Sequence, residues 1–115
     1  MKLSSPALFA DRPASADAFR ALEPVLGGLG PITVEEKKTC LHIVAGKSAF
    51  LGVHPRKDGL RLNIALARPL EGDRIVKCER ASANRYHNEL NVWGSDDVDD
   101  ELAAWIQEAY HRVAT

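Results

Sequence analysis

From Ile32 to Trp93 the chain reads with a period of two, and this limits what it can fold into more than any other feature. ITVEEKK, TCLHIVA, SAFLGVHP, LRLNIALA, RIVKCER and RYHNELNVW are short runs, β-branched or alternating apolar with polar, as expected of strands that bury one face. Between them stand turn signals: Gly46-Lys47, Lys57-Asp58-Gly59, Glu71-Gly72-Asp73 and Ser82-Ala83-Asn84, where glycine and Asx residues favour reversal. Spacings of eight to fourteen residues leave no room for crossover helices, so the strands are expected to be antiparallel neighbours. LRLNIAL is the clearest case: Leu60, Leu62, Ile64 and Leu66 point one way, and Arg61, Asn63 and Ala65 the other.

Helical periodicity flanks this block on both sides. In SADAFRALEPVLGGLG, Phe19, Leu22 and Leu26 share a helical face, and Ser15 is the expected N-cap. Pro24 predicts a kink, or a second short helix starting there. Gly27, Gly28, Gly30 and Pro31 then stop the helix; because this cluster follows a helix and not a strand, it is not a phosphate loop. At the other end Val98, Leu102, Trp105, Ile106, Ala109 and Val113 form an apolar stripe. Asp97, Asp99, Asp100 and Glu101 crowd its N-terminus, where the helix dipole favours negative charge. Leu102 and Trp105 are expected in the core and the acids at 97–101 in solvent.

The expected fold is therefore α+β in two layers: an antiparallel meander sheet of five to six strands, with an N-terminal and a C-terminal helix on one face. A chain of 115 residues with 45% hydrophobic and 27% charged content suits a single domain with one core. Residues 1–14 are expected as an extended lead-in. No apolar run approaches the ~20 residues of a spanning helix, and the patch in MKLSSPALFADRP is too short and interrupted for a signal peptide. A cytoplasmic setting follows, and Cys40 and Cys78, far apart and without a CxxC spacing, fit it as small buried hydrophobes. Charge is uneven: residues 37–87 carry eleven Lys/Arg against four Asp/Glu, and residues 88–115 carry one against seven. Either the basic stretch serves a polyanion or the two stretches neutralise each other in the fold, and the second reading is preferred.

With both helices on one face, the other face is left for function. Alternation assigns to it Cys40, His42 and Val44; Phe50, Gly52 and His54; Arg61 and Asn63; and Arg85, His87, Glu89 and Asn91. Three of the four histidines fall on it. The candidate ligand-binding residues are His42, His54, Arg61, Arg85, His87 and Glu89. No His-x-His or HExxH pairing is present, so no metal site is expected, and no cofactor is implied. Cys40 beside His42 has the residue types of a nucleophile and base, and His87 with Glu89 those of an acid–base pair, but neither comes with a substrate-binding feature. A buried structural thiol is the expected state of Cys40.

The helix ending in GLGP, the hairpin SAFLGVHPRKDGLRLNIAL, the RYHNEL strand and the closing DVDDELAAWIQEAY occur in an order that resembles the bacterial domain of unknown function 5655 family. That group comprises small standalone proteins and C-terminal modules of proteins labelled "predicted transport protein". The likeness runs from Phe9 to Tyr110. It rests on a histidine in the last strand, matched by His87, and on a closing acidic helix matched by Asp97, Asp99, Asp100, Trp105, Ala109 and Tyr110. Tyr86 stands where many members have a second, adjacent histidine. The resemblance implies an α+β fold and no established activity, and without a membrane segment the transport label does not carry over. The expected function is a small cytosolic binding or adaptor module that uses the open sheet face toward an unidentified ligand or protein partner, with homodimerisation admitted and no membrane partner. A small enzyme centred on His87 with neighbouring cations is the alternative. A weak nucleic-acid or polyanion-binding module is the third reading, disfavoured by a pI near 6.4.

Overall fold

The computed structural model describes residues 7–114. Six strands carry the period-two block: β1 (Thr33–Glu36), β2 (Leu41–Ala45), β3 (Ser48–Arg56), β4 (Gly59–Leu66), β5 (Ile75–Ser82) and β6 (Arg85–Val92). Two helices flank them, α1 (Pro13–Gly27) and α2 (Asp100–Val113). All pairings are antiparallel, and the strand order is β1-β2-β3-β4-β6-β5. The meander runs in chain order through β4. The loop after Leu66 then spans the width of one strand, so the closing hairpin docks by β6 and leaves β5 at the edge.

Both helices pack on the face formed by Leu41, Ile43, Leu51, Val53, Leu60, Leu62, Ile64, Leu66, Leu90 and Val92, all buried. Phe19, Leu22 and Leu26 of α1 and Leu102, Ile106, Ala109 and Tyr110 of α2 meet them there. This is the apolar-in, polar-out alternation of a sheet covered on one side. β5 is exposed along nearly its whole length, because it overhangs the edge of the helix layer.

Four expectations need correction. Ser15 is not an N-cap: α1 starts two residues earlier, at Pro13 in its first turn, a position where a missing N–H costs nothing. The Ser15 hydroxyl is buried instead, 2.7 Å from the carbonyl of Gly59 and 2.9 Å from that of Arg56, tying the helix to the β3–β4 hairpin. Pro24 neither divides α1 nor starts a new helix. It sits exposed in the last turn, where it removes one hydrogen bond, and Gly28 closes the end by donating to the carbonyls of Pro24 and Val25. The lead-in is not extended throughout, since Ala7–Phe9 form a single 3-10 turn and Phe9 packs edge-on against Phe19 at 5.5 Å; residues 1–6 lie outside the described residues. Trp105 is half-buried and not central, with the Arg74 guanidinium 5.7 Å above its ring.

Arg74 also ties the chain's charge halves together. It pairs with Asp99 at 2.9 Å and Glu101 at 3.0 Å, and Arg68 pairs with Glu108 at 2.9 Å. Asp99 caps α2 by accepting from the Leu102 N–H at 3.0 Å, and Asp97 accepts from the Trp93 N–H at 2.7 Å. Asp97, Asp99, Glu101 and Glu108 of the acidic end are thus spent on backbone capping and on arginines of the basic stretch.

One polar residue breaks the apolar face. Asn88 is fully buried among Leu90 and Val92. Its Oδ1 accepts from the Leu70 N–H at 2.8 Å, and its Nδ2 lies 3.3 Å from the carbonyls of Ile64 and Arg68. It holds the β4–β5 loop onto the sheet, supplying the partners that a loop's buried backbone groups require.

A histidine-lined pocket on the open sheet face

The register of the six strands lines up the open face in rows. One row crosses the whole sheet: Glu35, His42, Gly52, Asn63, Glu89 and Lys77 stand side by side. On one side of it lie His54, Arg61 and Asn91; on the other lie Ala65, His87 and Glu79. Directly opposed residues on antiparallel strands have Cβ atoms about 4.5–5.5 Å apart, so the three histidines surround Gly52 and Asn63 from three directions. Gly52 contributes no side chain, and the gap becomes a recess of about 110 Å³, lined by His42, His54, His87, Arg85, Asn63 and Gly52, with Ala49 and Ala65 beside them.

The candidate residues divide into two groups. His42, His54, His87 and Arg85 meet at the recess. Arg61 and Glu89 are engaged with one another: the Arg61 guanidinium reaches Glu89 Oε1 at 3.2 Å and Asn91 Oδ1 at 2.7 Å. Glu89 is therefore not the partner of His87. That partner is Asn63, whose Nδ2 lies 3.0 Å from His87 Nδ1, an arrangement in which the amide donates to a neutral ring and leaves the ring proton on Nε2. Alternation puts Asn63 on the open face, but only the β4–β6 register brings it to His87, and so it is absent from the candidate set. Two polar atoms at the site have no partner: Asn63 Oδ1 and Arg85 Nε are both buried and unbonded.

Phe50 is a correction. A bulge between Ile43 and Val44 pairs Ile43 with Leu51 but Val44 with Ala49, so Phe50 is the extra residue and the alternation slips there. Its buried ring joins the core, edge-on to Tyr110 at 5.5 Å, beneath the recess it borders. Cys40 is buried and neither cysteine lines the recess; Cys78, expected to be buried, is exposed on the edge strand β5.

The electrostatics are one-sided. His54 titrates below its usual range, first because it is partly desolvated and then because Arg56 stands near, with His42 and Arg61 adding to the effect and Glu89 opposing it. His87 is also held below its usual range, by desolvation first and then by Arg85; Arg112 adds to this, while Glu79 and Glu89 oppose it. At both rings burial is the first cause and a neighbouring arginine the second. Among the described residues no group of three or more His, Cys, Asp or Glu side chains is arranged to hold a metal ion, and no helix is long and apolar enough to cross a membrane.

Fold and site together define a two-layer α+β domain with a small, histidine-lined recess on an uncovered antiparallel sheet. The chain belongs to the Domain of unknown function (DUF5655) family, whose model matches residues 6–112. No curated protein and no solved structure matches it.

Proposed function

We propose that this protein is a small binding module that holds a ligand, or one side chain of a partner, in the histidine-lined recess of its open sheet face. The observation that carries this reading is the convergence of His42, His54, His87 and Arg85 around Gly52. A face that needs only to be wet has no use for three imidazoles and a guanidinium whose Nε is buried without a partner, since buried polar groups without partners cost stability. The enzyme alternative lacks a nucleophile at the recess and lacks the carboxylate–histidine contact it would use. A cytoplasmic setting is part of the proposal, supported by two free thiols, one of them exposed on β5.

The test is a ligand screen read through the histidine ring signals in NMR, with a set of small anionic, neutral and cationic compounds. Compounds that bind should move the signals of His42, His54 and His87 together, and His87→Ala should abolish their binding while the protein stays folded. If every bound compound leaves these three rings unmoved, the recess is not the binding site.

A further inference from the structure

Building on the reading of the recess as a ligand site, we propose that its ligand is a compact oxyanion, a carboxylate or phosphate group, seated between Arg85 and the rings of His42, His54 and His87. Charge pairing across the face is the first argument. Each of its three nearby carboxylates already has a cation: Glu35 has Lys37 at 3.1 Å, Glu79 has Lys77 at 3.7 Å and Glu89 has Arg61 at 3.2 Å. Arg85 makes no ion pair among the described residues, and its Nε is buried without an acceptor. A planar guanidinium presents a fork of donors that matches the paired oxygens of a carboxylate or phosphate. An anion in the recess supplies the acceptor that this side chain lacks.

Size is the second argument. At about 110 Å³ the recess has room for a compact head group such as a phosphate or a carboxylate. This agrees with the missing side chain at Gly52, where an added Cβ would stand 3.5 Å from both Asn63 Cβ and His54 Nε2 and so begin to fill the space.

The third argument is the coupling of Asn63 to His87. An anion in the recess favours the imidazolium form of the rings, opposing the desolvation and the neighbouring arginines that hold His54 and His87 below their usual range. Once protonated, His87 has a hydrogen on Nδ1 and can no longer accept from the Asn63 amide. The two ends of an amide are nearly the same size, so Asn63 turns over in place and its Oδ1 accepts from Nδ1–H. The acceptor that has no partner in the free protein gains one, and the Nδ2 donors move to the place Oδ1 held, so the contact with His87 is kept in either protonation state. Anion binding and proton uptake then reinforce each other.

The experiment titrates the full chain with inorganic phosphate and, separately, with acetate, following all four histidine ring signals by NMR across a pH series. Methylammonium and glycerol serve as cationic and neutral probes. Oxyanion binding should saturate, raise the titration midpoints of His54 and His87, strengthen as pH falls from 8 to 6, and leave His111 on α2 unmoved. Arg85→Gln should weaken it by about tenfold or more, as expected for a lost charge-assisted hydrogen bond. A saturable response to phosphate but not acetate, or the reverse, identifies which oxyanion the recess takes. Saturable binding of glycerol or methylammonium at these rings, with none of either anion, overturns the oxyanion assignment and leaves the ligand site standing. Absence of any saturable response, or shifts shared equally by His111, overturns both.

Discussion

Asn88 and His87 are consecutive residues of β6 that point to opposite faces, and substituting each to alanine should have opposite consequences. Asn88→Ala removes a fully buried amide that serves one donor and one acceptor in the β4–β5 loop and the Ile64 carbonyl of β4. The shortest of these bonds, 2.8 Å from the Leu70 N–H, leaves behind a donor next to a buried Leu70, and an unsatisfied buried group costs about 1–3 kcal/mol. The two longer bonds, at 3.3 Å, are the weaker ones; with the cavity left by the amide they add about 1 kcal/mol in all. The expected loss is about 2–4 kcal/mol, a large fraction of the ~5–15 kcal/mol that holds a domain of this size together. His87→Ala removes a half-exposed ring with one side-chain hydrogen bond, in a place water can enter, and should cost less than about 1 kcal/mol. Urea unfolding of both variants, with the slope checked against wild type, makes the comparison. Equal losses, or an Asn88→Ala loss below about 0.5 kcal/mol, would refute the division of β6 into a structural face and a binding face.

Gly59→Ala should destabilise by about 1–3 kcal/mol, the range for forcing an extra methyl into a packed site, because a Cβ there would sit 2.2 Å from the Val92 carbonyl oxygen; thermal unfolding at wild-type stability would contradict the close approach of the β3–β4 turn to β6. Trp105→Ala should cost about 2–3 kcal/mol, below the ~3–5 kcal/mol of a fully buried tryptophan, and Arg74→Ala should reproduce part of that loss in a double-mutant cycle. Stability should fall as pH drops from about 7.5 to 5.5: the folded midpoints of His54 and His87 lie below the unfolded value of 6.5, so their contribution is complete above that value and is lost as protons bind the unfolded chain first. His87→Ala should flatten this slope in calorimetric scans at several pH values, and an unchanged slope would remove His87 from the account. Asp99 and Glu108, held below the usual carboxylate range by the Leu102 N–H and by Arg68 respectively, should matter only below about pH 4.

Most of the fold was legible because the signals behind it are local. Six alternating runs, four turn signals and two apolar stripes appear as six strands and two helices. The departures from expectation arise from non-local geometry. Ser15 reads as a cap because serine caps helices often, yet the carbonyls that engage it belong to Arg56 and Gly59, more than forty residues away. Asn88 looks like a break in an apolar face until the loop it serves is folded back over it. Phe50 follows the alternation until a bulge adds one residue, and no local signal in SAFLGVHP marks that bulge.

The site was half legible for the same reason. Alternation says which face a residue occupies but not which residue of the next strand stands beside it, and convergence depends entirely on the latter. His42, His54 and His87 come from three strands, and only the observed register, with β6 placed between β4 and β5, brings them around one point. Had the closing hairpin docked by β5, Lys77 and Glu79 would stand beside Asn63 and Ala65, and His87 would lie one strand further from Gly52, by about 4.8 Å. The recess is therefore a product of strand order as much as of residue type. The same displacement would separate His87 from Asn63, so one hydrogen bond of 3.0 Å records both the topology and the site. An Asn63–His87 double-mutant cycle on unfolding free energy, with the His87 ring titration followed in Asn63→Ala, tests the two together. If their effects simply add, the pair is uncoupled, and the order β4-β6-β5 has no part in setting the chemistry of His87.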